Sequence, residues 1–211
     1  MADEVTLYYS PMSRARTVHL MLEEIGEPYH LESIDLTKGE QKQPRFLAIN
    51  PMGKLPAIVH RGVVITETGA ICMYLADAFP TAKLAPRLDE PLRGTYLRWM
   101  FFGAGCIDAA LMDRILGRPA PERTGALGYG TVETLVEVLA KAITPGPWIL
   151  GDRFSAADVY LGSQIAFGLM TKTLDARPTF HAYAERLAAR PAYQRFKEQA
   201  DQFLKKMQAT A

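Results

Sequence analysis

The apolar positions of this chain change their rhythm near residue 85. In "VTLYY" (5–9) the apolar run is strand-like, and then Ala15, Val18, Leu22 and Ile25 recur at the spacing of a helix face. Gly26 stands where a helix stop is expected. "YHLESIDL" (29–36) alternates with the period of a half-exposed strand. "LPAIVHRGVVITE" (55–67) holds two apolar runs around Arg61-Gly62 and predicts an antiparallel hairpin. A helix with Ile71, Leu75 and Ala78 on one face follows and ends at Phe79-Pro80. The predicted order is β-α-β, then β-β-α.

From about residue 87 the period is helical throughout. Long patterns at 89–116, 126–143, 155–170 and 179–190 are separated by the turn signals "GRPAPER", "TPGPW", "LDARP" and "ARPAY". "KLAPRLDEP" (83–91), with two prolines, reads as a linker. The expected architecture is an α/β domain over 1–82 followed by an all-α domain over 87–211. In "RWMFFGAGCIDAALMDRILGRP" (98–119), Gly103 and Gly105 are costly in a helix interior unless something packs closely there. Asp108, Asp113 and Arg114 are its polar exceptions.

Composition narrows the function classes. The 211 residues are 48% apolar and 22% charged, with 24 Lys plus Arg against 23 acidic residues. Such a balance offers no reason for nucleic acid or an anionic membrane as partner. Cys72 and Cys106 stand far apart, so neither a disulfide framework, a cysteine metal site nor a dithiol motif is expected. "MADEVTLYYS" lacks the basic-then-apolar form of a secretion leader, and no apolar run is long enough to span a membrane. The expectation is a cytoplasmic protein.

Three short stretches carry candidate chemistry. In "YYSPMSRART" (8–17), Ser10-Pro11 suits a helix N-cap with proline at the first helical position, which puts Ser13 in the first turn. A hydroxyl there, beside free backbone N–H groups, can donate to a thiolate or another anion, or can simply cap the helix. In "NPMGKLPAIV" (50–59), Pro56 opens a strand. A cis Leu55–Pro56 bond would present the Leu55 backbone to a ligand, although a trans bond is the usual state. In "ITETGAICMYLAD" (65–77), Glu67 and Thr68 stand at a strand-to-helix junction. Such a pair can hold the ammonium and carboxylate of an amino acid, or serve as an N-cap.

In this order the three stretches resemble those of the glutathione transferase superfamily, and the resemblance extends to "WILGDRFSAADVYL" (148–161), where Ser155 and Asp158 form a capping box with Phe154 ahead of it. The resemblance implies a thioredoxin-like N-terminal domain, a C-terminal helical domain that binds an electrophile, and a homodimer. It implies glutathione as co-substrate, with no tightly bound cofactor and no metal. Ser13 then matches the serine that theta- and delta-like members use on the thiolate. Tyr8, near the place of the tyrosine used by other classes, and Arg14 are its rivals. Leu55 with Pro56 matches the backbone clamp, and a cis bond is what the match implies. Glu67 and Thr68 match the γ-glutamyl holders, and Lys38, Lys54, Arg14 and Arg16 are candidates for the carboxylates. Met12, Asp108 and Met112 are candidates for the electrophile site. The bacterial beta class has a cysteine in the first turn where this chain has Arg14, which disfavours mixed-disulfide chemistry.

Conjugation of glutathione to small, largely apolar electrophiles, a detoxification chemistry, is the reading that follows. Its alternatives are a non-catalytic member of the fold, or a glutathione-dependent peroxidase, dehalogenase or isomerase.

Overall fold

A computed structural model describes residues 4–209, with side chains through Lys205. Met1 to Asp3, part of the stretch read as lacking a leader, lie outside the described residues. The elements are β1 (Val5–Tyr9), α1 (Ala15–Ile25), β2 (Tyr29–Ser33), α2 (Pro44–Leu47), β3 (Ala57–His60), β4 (Val63–Thr66) and α3 (Thr68–Ala78). Helices α4 (Leu92–Phe102), α5 (Asp108–Ile115), α6 (Val132–Ala142), α7 (Ala156–Met170), α8 (Pro178–Ala188) and α9 (Pro191–Ala209) follow. Residues up to Ala82 together with those from Arg190 onward form one compact unit, and Lys83–Ala189 form a second.

The sheet of the first unit has the order β2-β1-β3-β4. β1 runs parallel to β2 and antiparallel to β3, and β3 runs antiparallel to β4. This is the thioredoxin-like arrangement. Alternation along β1 works as the sequence predicts: Val5, Leu7 and Tyr9 are buried, while Thr6 and Tyr8 point the other way and are half-covered. Leu7 lies opposite Ile58, and both join the core under α1 and α3. On the other face a smaller core of Ile34, Phe46 and Ala57 takes Tyr8, Leu36, Ile49 and Leu55. The predicted hairpin turns at Arg61-Gly62, both at positive φ (52° and 76°), the geometry a tight two-residue turn requires. The strand expected over 29–36 stops at Ser33, because the Asp35 carboxylate accepts the Thr37 and Lys38 N–H groups and bends the chain away.

α9 belongs to the first unit. Glu24 takes both Nε and Nη2 of Arg190, at 2.6 and 2.7 Å, and Glu23 takes Arg195 Nε at 2.7 Å. The named helical patterns end at residue 190, before this helix begins.

In the second unit the pattern over 89–116 becomes α4 and α5 joined through a π-helical turn at Gly103–Ile107. Asp113 pairs with Arg118 and accepts from the Tyr129 hydroxyl, and Arg114 is held by the Thr173 carbonyl and Asp175. The capping box forms as read: Asp158 Oδ2 accepts from Ser155 N and Oγ at 2.8 and 2.9 Å. Its Oδ1 accepts from Ile149 N and the Tyr183 hydroxyl at 2.7 and 2.6 Å, and Phe154 packs edge-on against Trp148.

Candidate functional site

The chain leaves β1 through a closed turn rather than directly into a helix. Ser10 is fully buried, and its carbonyl accepts both the Ser13 N–H at 3.1 Å and the Ser13 hydroxyl at 2.8 Å. Ser13 Oγ in turn accepts the Ala15 N–H at 3.1 Å. The expectation of a Ser10-Pro11 cap is therefore corrected. α1 begins only at Ala15, and Ser13 stands before the helix, where its own oxygen satisfies one of the orphan amides. Met12 and Arg14 are exposed beside it. Arg16 instead lies over the Phe196 ring, 5.1 Å from its centre, and is committed to α9.

Tyr8 projects from the sheet face opposite Leu7 and Tyr9. Its ring meets Phe46 edge-on at 5.6 Å and forms part of the smaller core. Tyr9 lies on the α1 face between His19 and Phe203, and burial pushes its hydroxyl up to about 12.

The segment before β3 is organised by a residue the sequence reading passed over. Buried Asn50 donates to the Lys54 carbonyl at 2.8 Å, accepts the Met52 N–H at 3.1 Å, and offers its own carbonyl to Gly53 N at 2.8 Å. The Asn50-Pro51 dipeptide was the available signal. Gly53 has φ +60°, and a Cβ there would meet the Gln41 carbonyl at 2.8 Å and Lys42 Nζ at 2.9 Å. Lys42 itself donates to the Met52 carbonyl at 3.2 Å, and it is a basic group that the sequence reading did not name. Lys38 is paired with Asp35 at 3.2 Å inside its own loop, and the Thr37 hydroxyl and Lys38 hold Asp35 down at about 2. Lys54 is exposed, Leu55 is half-buried, and the Leu55–Pro56 peptide is cis. Thr144–Pro145 and Gly146–Pro147 are cis as well.

At the β4–α3 junction Glu67, not Thr68, occupies the cap position. Its φ of 67° and ψ of 117° are unusual for a side-chain-bearing residue, and its exposed carboxylate makes no capping hydrogen bond. Thr68 is the first helical residue and is buried.

Strand register gathers these segments. Tyr8 lies opposite Ala57, and Ala57 opposite Thr66, so the end of β1, the start of β3 and the end of β4 share one end of the sheet. The chain leaves β1 toward the Ser13 turn, enters β3 from Leu55–Pro56 and leaves β4 into Glu67–Thr68 at that same end, where neighbouring strands lie about 4.8 Å apart. β2 runs parallel to β1, so the loop with Lys38 and Lys42 leaves from the same end.

In the second unit Asp108 accepts from the Tyr160 hydroxyl at 3.1 Å, and Met112 lies one turn further along α5, half-buried. Burial pushes the Cys72 thiol up to about 12 and also raises Cys106. Among the described residues no group of His, Cys, Asp or Glu could hold a metal ion, and no helix is long and apolar enough to cross a membrane.

Comparison with known proteins agrees with this geometry. Residues 3–77 match the family described as glutathione S-transferase, N-terminal domain. The chain is 29% identical over 192 residues to glutathione S-transferase GstA of Escherichia coli O157:H7, covering 89% of this chain and 94% of that one. It is 31% identical over 200 residues to the disulfide-bond oxidoreductase YfcG of Escherichia coli K12, covering 89% and 92%. A crystal structure of a glutathione transferase homologue from Sulfitobacter with bound glutathione has a TM-score of 0.77 at 28% identity, covering 94% and 99%. The chain belongs to the glutathione S-transferase superfamily.

Proposed function

We propose that this protein binds glutathione at the shared sheet end of its first unit and transfers the thiolate to small, largely apolar electrophiles. The observation that carries the reading is the Ser13 hydroxyl, held in place by two hydrogen bonds just ahead of α1, in a turn that opens beside Leu55–Pro56 and the Glu67 junction. A free thiol is only a few per cent thiolate near neutral pH, and the thiolate is the nucleophile. Lowering its pKa by about two units requires about 2.7 kcal/mol of preferential stabilisation of the charged form. The Ala15 N–H polarises the Ser13 oxygen, and the hydroxyl proton turns from the Ser10 carbonyl to the sulfur as charge develops there. The start of α1 adds its dipole and exposed Arg14 adds a formal charge.

At the other end of the tripeptide, Glu67 takes the γ-glutamyl ammonium. The Thr68 hydroxyl and the first amides of α3 take the carboxylate. The Leu55 backbone holds the cysteinyl unit, and Lys54 with Lys42 faces the glycyl carboxylate. Lys38, tied to Asp35, is the weaker candidate. Tyr8 serves packing against Phe46. The candidates for the electrophile are Met12 in the first unit and Asp108 and Met112 in the second, and the working form is a homodimer in the cytoplasm.

A second reading is favoured by the likeness to YfcG: glutathione-dependent disulfide exchange. The turn holds no cysteine, and both thiols of the chain are raised by burial, so in that reaction the thiols must come from glutathione. Retention on immobilised glutathione, followed by turnover of a chlorinated nitroaromatic and of a small dialkyl disulfide, separates the readings. Faster turnover of the disulfide overturns the transferase assignment, and failure to be retained overturns both. Light scattering that gives a 23.4 kDa particle removes the dimer.

A further inference from the structure

His19 sits in the middle of α1 with its ring fully buried. Its Nε2 lies 2.8 Å from the Tyr29 hydroxyl and 3.0 Å from Gln199 Oε1. Gln199 donates its amide to Glu23 at 2.9 Å, which turns its oxygen toward the imidazole and fixes the His19 proton on Nε2. Tyr29 donates to Glu23 at 2.6 Å. The ring also meets Tyr9 and Phe196 edge-on, at 5.1 and 5.2 Å. Tyr9, the last residue of β1, meets Phe203 of α9 at 5.1 Å on its other side. Ser10 follows, and its carbonyl orients the Ser13 hydroxyl.

At this corner the polar side-chain anchor is His19 Nε2, which reaches Gln199 of α9. The Tyr9 hydroxyl, Ser10 Oγ and His19 Nδ1 are buried without a hydrogen-bond partner among the described residues. The sheet holds the Tyr9 backbone, whose carbonyl accepts the Ile34 N–H at 2.9 Å. Ring contacts from His19 and from Phe203 of α9 set where the Tyr9 side chain lies, and dense packing transmits a displacement of that side chain to the turn that follows. The ion pair of Arg190 with Glu24 lies at the far end of α1 and clamps the helices outside this cluster, whereas Arg195 shares Glu23 with Gln199 and Tyr29.

We infer that α9 is a positioning element for the thiolate site: Phe203 and Gln199 hold Tyr9 and His19, and through Tyr9 the Ser10 carbonyl that aims the Ser13 hydroxyl. The inference rests on the proposed role of Ser13.

The test compares Phe203→Leu and Gln199→Leu with Arg190→Met, a control that weakens the clamp without touching Tyr9. Amide hydrogen exchange of the free protein reads the turn directly. Both α9 variants should speed exchange of the Ser13 and Ala15 amides by about 10-fold, because each opens the turn locally. With glutathione bound, thiolate absorbance should show the half-ionisation pH raised by about half a unit, with kcat lowered and KM for glutathione within about two-fold. Phe203→Tyr should restore both. Arg190→Met should lower the melting temperature and do neither. Unchanged exchange in the turn, or equal acceleration in Arg190→Met, overturns the inference and leaves α9 a plain clamp. If Ser13→Ala shifts the half-ionisation pH and the α9 variants do not, the inference alone falls. If the α9 variants speed exchange and Ser13→Ala leaves the half-ionisation pH unmoved, the Ser13 role falls while positioning of the turn stands.

Discussion

The Ser13 hydroxyl donates to the Ser10 carbonyl across 2.8 Å, so its single proton has a partner before any ligand arrives. Stabilising a sulfur anion means exchanging one acceptor for a stronger one, a gain realised only as charge develops. Ser13→Ala should therefore lower kcat by roughly 10- to 1,000-fold and raise the pH at which activity appears, with little loss of glutathione affinity. Tyr8→Phe should stay within about two-fold of the native rate, since its ring is engaged in packing. Loss of turnover in Tyr8→Phe, with Ser13→Ala unaffected, would reverse the two roles.

Glu67 carries a strained backbone and an exposed charge at once. Replacing it separates the two. Glu67→Gln should chiefly raise KM for glutathione. Glu67→Gly should be more stable than Glu67→Ala by about 1 kcal/mol, because glycine adopts positive φ without steric cost. Denaturant titration of the two variants checks the strain, and steady-state kinetics checks the charge.

Acid should loosen the seam between α1 and α9 in two stages. Burial is the main cause holding His19 below its ordinary 6.5 in the folded protein, helped by Arg16 and opposed by Gln199 and Glu23. Burial raises Glu23, but hydrogen bonds from Tyr29, Arg195 and Gln199 outweigh it and hold the carboxylate below its ordinary 4.5. In both cases the unfolded chain binds a proton first as pH falls. Stability from His19 is thus complete above 6.5 and declines below it, and that from Glu23 declines below 4.5. Melting temperatures recorded from about pH 7.5 down to about pH 5 should fall in the native protein and fall less in His19→Gln.

The two glycines of the π-turn should respond oppositely to alanine. A Cβ on Gly103 would stand 2.8 Å from the Tyr160 ring and 2.9 Å from Gln164 Oε1, whereas one on Gly105 meets nothing within 4 Å. Gly103→Ala should cost about 1–3 kcal/mol by overpacking. Gly105→Ala should be neutral or stabilising by up to about 1 kcal/mol. Equal effects in thermal melts would show that the close approach of α7 at Gly103 carries no energetic weight.

What the sequence made legible was local. The alternation of "VTLYY", the Arg61-Gly62 hairpin and the Ser155/Asp158 box each need only neighbours in the chain, and each formed as read. The chain order of the three candidate stretches was legible too, and the observed register brings them to one end of the sheet. Hydrogen-bond choices were not. Nothing in Ser10-Pro11 says that Ser10 will spend its carbonyl on Ser13 and delay the helix to Ala15. α2 spans only Pro44–Leu47, too short to show a period. The α9 pattern was obscured because its inner face carries two small alanines, Ala192 and Ala200, and is interrupted by Gln199, which reaches Glu23.

The docking of α9 also fixes an order of completion during synthesis. A nascent chain that has emerged as far as Ala82 contains the four strands of the described sheet and every segment of the proposed glutathione site, yet His19 and Glu23, buried in the finished protein, still face water. They are covered only when residues beyond Arg190 leave the ribosome. The helical unit, contiguous in the chain, has all its residues before then. The part of the protein made first is accordingly the part finished last.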